Sequence, residues 1–151
     1  SRAAADALRE IWRQDLGPER ESRLNEAELM LADGFAGAAM ALADELAGEA
    51  PLSAEPLHFR AQIWFALGEY ERGKADCQTA LSRNERHWPS LRDWGAAALE
   101  AGDRPAAEQA LNALRRIAPN ASFTRRLESR LSAAADRSGP SQASENPSSS
   151  S

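Results

Sequence analysis

The 151-residue chain contains one cysteine, two histidines, one tyrosine and one lysine, Lys74. A single cysteine excludes an internal disulfide. Together with His58 and His87 it leaves too few ligands for a structural zinc site, so no metal and no cofactor is expected. Aromatic residues are only 6% of the chain, which argues against a β-sandwich, because strands draw on β-branched and aromatic side chains. No apolar run approaches the ~20 residues that cross a bilayer, and residues 1–16 read as a charged helix without the apolar stretch of a signal peptide. Glycine-rich phosphate loops, metalloprotease and serine-hydrolase motifs and paired carboxylates are also missing. Cys77 has no base beside it in sequence and reads as a buried, inert thiol. No catalytic residue is therefore assigned, and the chain is not expected to be an enzyme.

Alanine fills 32 positions, the composition of helices that approach one another closely. The net charge is −5 and the pI about 5.1, which disfavours nucleic acid as a partner. The charge is uneven: residues 1–50 carry 11 acids and 5 bases, whereas residues 51–119 carry 9 of each. Arg115, Arg116, Arg125, Arg126 and Arg130 cluster late in the chain, without the interleaved aromatics of a single-strand binder. They read as helix C-terminal charges and a solvated face. The near absence of lysine, with the alanine excess, points to a GC-rich bacterial source. The chain opens on Ser1 rather than Met, as a fragment or processed product would. Nothing fixes its compartment; the cytoplasm is the working expectation and the periplasm the alternative.

The strongest signal is a period of 34 residues. Gly34, Gly68 and Gly102 fall in one column, as do Ala27, Ala61 and Gly95; Ala39, Gly73 and Ala107; and Leu46, Ala80 and Leu114. Each period reads as two helices around a glycine turn, where φ > 0 stops the first helix. Pro56, Pro89 and Pro105 sit in first turns, where the missing N–H costs little. Ser53 and Asp103 are N-cap candidates. The small columns let paired helices approach, with Ala61 expected opposite Gly73 and Gly95 opposite Ala107. One such hairpin cannot bury its own apolar face, so neighbours must stack.

Leu57-x3-Ala61-x2-Trp64-x3-Gly68-x-Tyr70-x9-Ala80 resembles the tetratricopeptide repeat (TPR), and Leu91-x2-Trp94-Gly95-x6-Gly102-x4-Ala107-x11-Pro119 is similar to it as well. The resemblance implies an all-α fold, an α-solenoid of about three TPR-like helical hairpins closed by a C-terminal capping helix. The expected units are an N-terminal helix over residues 1–19, read as the remnant of a preceding repeat; a degenerate repeat over 20–53; repeats over 54–87 and 88–121; a cap over 122–136; and a disordered tail over 137–151. Arg23, Glu26 and Arg60 stand where the family carries apolar residues. Gly73 replaces a helix alanine, at a cost of about 1 kcal/mol.

The resemblance also implies a concave face built from the first helix of each hairpin. Its stripe comprises Leu24, His58 and Arg92; Glu28, Gln62 and Ala96; and Leu31, Phe65 and Leu99, flanked by Asn25, Phe59 and Asp93. These positions recur at i, i+4 and i+7 on one helix face. Leu31, Phe59 and Phe65 are the expected anchors for a peptide or partner helix, with His58, Gln62 and Arg92 as hydrogen-bonding groups. The alternative is an inner surface partly covered by the chain's own terminal helix. Chaperone-binding members of the family grip a C-terminal carboxylate with lysines and asparagines. This stripe has no lysine, and Arg92 alone does not supply that grip. The function expected is a protein–protein interaction module, a scaffold or adaptor. The alternatives are the non-catalytic repeat segment of a larger enzyme and the sensing domain of a transcription regulator. An uncapped N-terminal edge would also allow self-association.

Overall fold

The computed structural model describes residues 2–144, with side chains as far as Arg137. The described residues form helices throughout: α1 (Arg2–Gln14), α2 (Pro18–Ala32), α3 (Ala36–Glu49), α4 (Glu55–Ala66), α5 (Tyr70–Arg83), α6 (Trp88–Ala101), α7 (Arg104–Ile117) and α8 (Ser122–Ser144). α2 packs on α3, α4 on α5 and α6 on α7, and each pair stacks on the next through α3–α4, α5–α6 and α7–α8 contacts. The chain is thus a solenoid of three hairpins with α8 laid against the last one. α8 continues to Ser144, past the expected end of the cap at 136. The expected tail therefore begins inside a helix, and residues 145–151 lie outside the described residues.

The 34-residue column of glycines does what its spacing implies. Gly34, Gly68 and Gly102 have φ of +90°, +77° and +77°, a left-handed turn between paired helices. Asp103 caps α7, its Oδ1 accepting from the Ala106 N–H at 3.3 Å. Its other oxygen accepts from Tyr70 Oη at 2.6 Å and Lys74 Nζ at 2.9 Å, tying the second turn to the third hairpin. Ser53 stands one position before the N-cap of α4, which is Ala54, and its hydroxyl accepts from the Glu55 N–H.

Two of the residues that depart from the repeat pattern, Arg60 and Arg23, have charged partners. Arg60 forms a two-pronged pair with Asp76 of α5, both contacts at 2.8 Å, and reaches Asp44 of α3 at 2.9 Å. Arg23 binds Glu45 and Glu49 of α3 at 3.0 and 2.9 Å. Charged clasps between helices replace apolar contacts at these two slots.

The small columns work differently from expectation. A Cβ on Gly73 would overlap the ring of Phe65, and one on Gly95 would meet Leu127 at 2.7 Å and Ala110 at 3.3 Å. The close approaches are thus to a ring across the hairpin at Gly73, and to both the paired helix α7 and the capping helix α8 at Gly95. Buried residues form one core around Ala61, Cys77, Leu91, Trp94, Leu111, Leu114, Leu127 and Leu131. A second core surrounds Leu16, Leu24, Leu46, Phe59 and Ile63.

The Gly73–Phe65 contact makes a quantitative prediction. In an open helix, Gly→Ala gains about 1 kcal/mol. Chemical denaturation should show that Gly73→Ala yields no such gain in the native protein. In a Phe65→Ala background the same substitution should recover it. An equal gain in both backgrounds would mean that the ring does not exclude the methyl group.

Candidate functional site

α1 is where structure and expectation part. It does not stand as the second helix of a preceding unit. Its direct bonds run to the first helices of the hairpins, across the face expected to be concave. Arg13 near its C-terminus donates to Asn25 Oδ1 at 2.5 Å and to Glu28 Oε1 at 2.6 Å, both on α2. The Trp12 ring lies 5.2 Å from that of His87, just before α6. Ala5 is 4% exposed, and its carbonyl accepts from Trp88 Nε1 at 2.9 Å. Trp88 is then sandwiched, with Phe123 of α8 stacked on it at 4.8 Å and the Arg92 guanidinium 5.2 Å from its ring centre. α1 therefore spans from the first hairpin to the third, held by the Trp88 indole and the Arg13 guanidinium.

The stripe divides into four groups, of which His58, 1% exposed and so not available to a groove ligand as expected, belongs to a buried cluster described below. Leu24 and Phe59 are 0% and 3% exposed and belong to the core between the first two hairpins, so they form the wall and are not available as anchors. Asn25 and Glu28 are engaged by α1. Leu31, Gln62, Phe65, Arg92, Asp93, Ala96 and Leu99 are half-buried. Phe65 stacks on Tyr70 at 6.2 Å. Arg92 is turned onto Asp93, with Nε 2.8 Å from Oδ1. Arg92, Asp93 and Ala96 also line a cavity of about 220 Å³ with Phe123, Arg126 and Leu127.

Beneath α1 lies a buried polar cluster that the stripe only partly captured. His58 is 1% exposed, and its Nε2 lies 2.6 Å from Asp93 Oδ2, which also accepts from Gln62 Nε2 at 3.1 Å. Burial alone would raise the Asp93 pKa. The short contact with His58, followed by the Arg92 guanidinium, outweighs burial and holds this carboxyl well below the usual range. His87 is fully buried, between Ser90 Oγ at 2.8 Å from Nδ1 and Glu55 Oε1 at 3.0 Å from Nε2. Burial pushes the His87 pKa down, so the ring is neutral at pH 7. Burial opposes ionisation of Glu55 too, but the His87 hydrogen bond prevails and keeps it a carboxylate. Glu55 Oε2 accepts no hydrogen bond among the described residues, and Arg13 Nη1 stands 3.7 Å from it. The two imidazoles are 5.3 Å apart, edge to face. Glu55 and His87 also line the wall of a cavity of about 560 Å³ bordered by Trp12, Arg20, Leu52 and Arg83.

Sequence reasoning missed Glu55 and His87. Both lie at or beside helix starts, where an acid or a histidine is ordinarily a first-turn charge or a surface residue. Their joint burial arises only when successive hairpins stack. Cys77 is buried as expected, and burial, reinforced by Asp93 and Asp76, pushes its thiol pKa far up. Among the described residues no helix is long and apolar enough to cross a membrane.

Neither a protein-family model nor a curated protein sequence matches the chain. Solved structures do. The Sgt2 TPR domain from Aspergillus fumigatus is similar with a TM-score of 0.74 at 18% identity, over 89% of each chain. The first TPR of Spaghetti (RPAP3), bound to the HSP90 peptide SRMEEVD, has a TM-score of 0.71 at 16% identity, over 78% of this chain and 93% of its own. The TPR2B domain of yeast Sti1, in complex with an Hsp70 peptide, has a TM-score of 0.66 at 20% identity, over 77% of this chain and 98% of its own. The chain has a TPR-like fold.

The geometry at Trp88 predicts how α1 is held. Trp88→Phe keeps the stack on Phe123 but removes the donor to Ala5. That carbonyl retains its place in the helix, so the loss is one hydrogen bond, about 1 kcal/mol. Amide hydrogen exchange over residues 2–14 should speed up several-fold while α6 and α7 keep their protection. Unchanged exchange in α1 would show that the indole does not hold it.

Proposed function

We propose that the chain is a protein–protein interaction module that takes an amphipathic helix of a partner protein on its concave face, and that α1 is a built-in occupant of that face. It is a binding unit rather than a catalytic one. The observation that carries this reading is the seating of α1 itself. The face receives a small residue beneath the Trp88 indole, an aromatic ring beside His87 and an arginine between Asn25 and Glu28. A partner helix of the same pattern meets the same groups. Leu31, Phe65 and Leu99, half-buried on the same stripe, offer further apolar contact where no direct bond to α1 reaches.

The relatives that hold chaperone peptides support peptide binding as the general use of the fold. The acidic peptide held by the Spaghetti domain, SRMEEVD, does not suit this face. Arg92 is spent on Asp93, and the single lysine, Lys74, is spent on Asp103. With Glu28 and Glu55 on the face, both within reach of Arg13, the favoured partner presents arginine rather than a terminal carboxylate.

Fluorescence anisotropy with a labelled peptide of residues 1–16 tests the proposal against the full chain. In the wild type, α1 competes at high effective concentration and the peptide binds weakly. Trp12→Ala loosens α1, and peptide affinity should rise at least several-fold. Adding Glu28→Ala to that variant should reverse the gain. If the peptide binds none of the three proteins, the face does not receive helices and the proposal falls.

A further inference from the structure

We propose that Glu55, His58 and His87 form a binding site for one divalent transition-metal ion of the zinc class, at the interface of the second and third hairpins. The chain's only two histidines converge there with a buried glutamate, and one ligand atom from each residue lies within 4.8 Å of the others. A set of two imidazoles and a carboxylate suits Zn2+, which takes three protein ligands and leaves a fourth position open. Bonds of ~2.0–2.1 Å to an ion require ligand atoms roughly 3.3 Å apart, so side-chain rotations of about an ångström close the site.

Three features distinguish this cluster from an ordinary buried ion pair. The first is the outer support. Asp93 holds Nε2 of His58 and Ser90 holds Nδ1 of His87, leaving His58 Nδ1 and His87 Nε2 as the ligating nitrogens. Metal-bound histidines are oriented in this way by a carboxylate or hydroxyl on the far nitrogen. The second is Glu55 Oε2, a carboxylate oxygen of a 1% exposed residue that accepts no hydrogen bond among the described residues. A buried carboxylate oxygen without a hydrogen bond is costly, and a cation bound to it removes that cost. The third is access, because Glu55 and His87 line the cavity of about 560 Å³. Arg13 faces Glu55 from α1, and Arg9 acts on it electrostatically, while Glu28 of α2 is paired with Arg13 and Asp93 of α6 with Arg92. An ion at this place therefore competes with the α1 arginines for Glu55.

Equilibrium dialysis of the full chain against Zn2+ tests the site, together with long-range proton–nitrogen NMR of the two imidazoles. The expected result is one Zn2+ per chain, with shifts at His58 Nδ1 and His87 Nε2. Glu55→Gln should weaken binding at least tenfold, and Cys77→Ala should leave it unchanged. Absence of stoichiometric binding would overturn the assignment. So would binding that leaves both imidazoles unshifted, or equal affinity in a folded Glu55→Gln variant. Should circular dichroism show that Glu55→Gln is unfolded, the imidazole shifts of the wild type decide alone, because no other histidine is present to report.

Discussion

A helical hairpin with one apolar face cannot stand by itself, and the remaining features of this molecule depend on how that face is covered. Each pair hands its exposed side to the next across α3–α4 and α5–α6, and α8 closes the series. The 34-residue register turns this requirement into geometry. Because the three glycine turns fall at one place in each period, the first helices line up and present equivalent positions side by side. Leu24, His58 and Arg92 are chemically unrelated, yet they occupy the same slot in successive hairpins. The stripe follows from the repeat, and its chemistry follows from the particular residues that fill it.

Stacking also creates the buried polar chemistry. Glu55 opens the first helix of the second hairpin, while His87 and Ser90 open the third. When the hairpins close on one another, these groups lose water together. A buried carboxylate beside a neutral imidazole is tolerable only because each has a fixed partner, and such a pair specifies one relative placement of the hairpins more than it stabilises them. α1 lies over this cluster and brings arginines to its edge. The bond from Trp88 to Ala5 couples the helix to the same interface. Occupancy of the concave face and the state of the Glu55–His87 pair are thus parts of one arrangement.

Much of the fold was legible because it rests on local rules repeated three times. The glycine turns, the Asp103 cap, the helix pairs and the burial of Cys77 all follow from periodicity and backbone preference. What was not legible depends on tertiary facts that no period encodes. Phe59 belongs to the wall because it packs with Leu24 and Leu46 in the core of the first two hairpins, and helical spacing alone does not fix that placement. α1 carries the helical pattern of a preceding repeat, but its pattern does not say which surface receives it. Gly73 reads in sequence as a weak helix residue, and only the Phe65 ring gives it a reason. Ser144 lies beyond the expected cap because the polar stretch after residue 136 continues a helix already begun.

Both the buried cluster and the proposed binding face depend on α1 lying across the first helices of the hairpins, and proton–proton nuclear Overhauser effects in the native chain test this directly. Cross-peaks are expected from the Trp88 indole N–H to Ala5 and from the Trp12 ring to the His87 ring. Random-coil shifts over residues 2–14, with no cross-peak to Trp88 or His87, would contradict this placement.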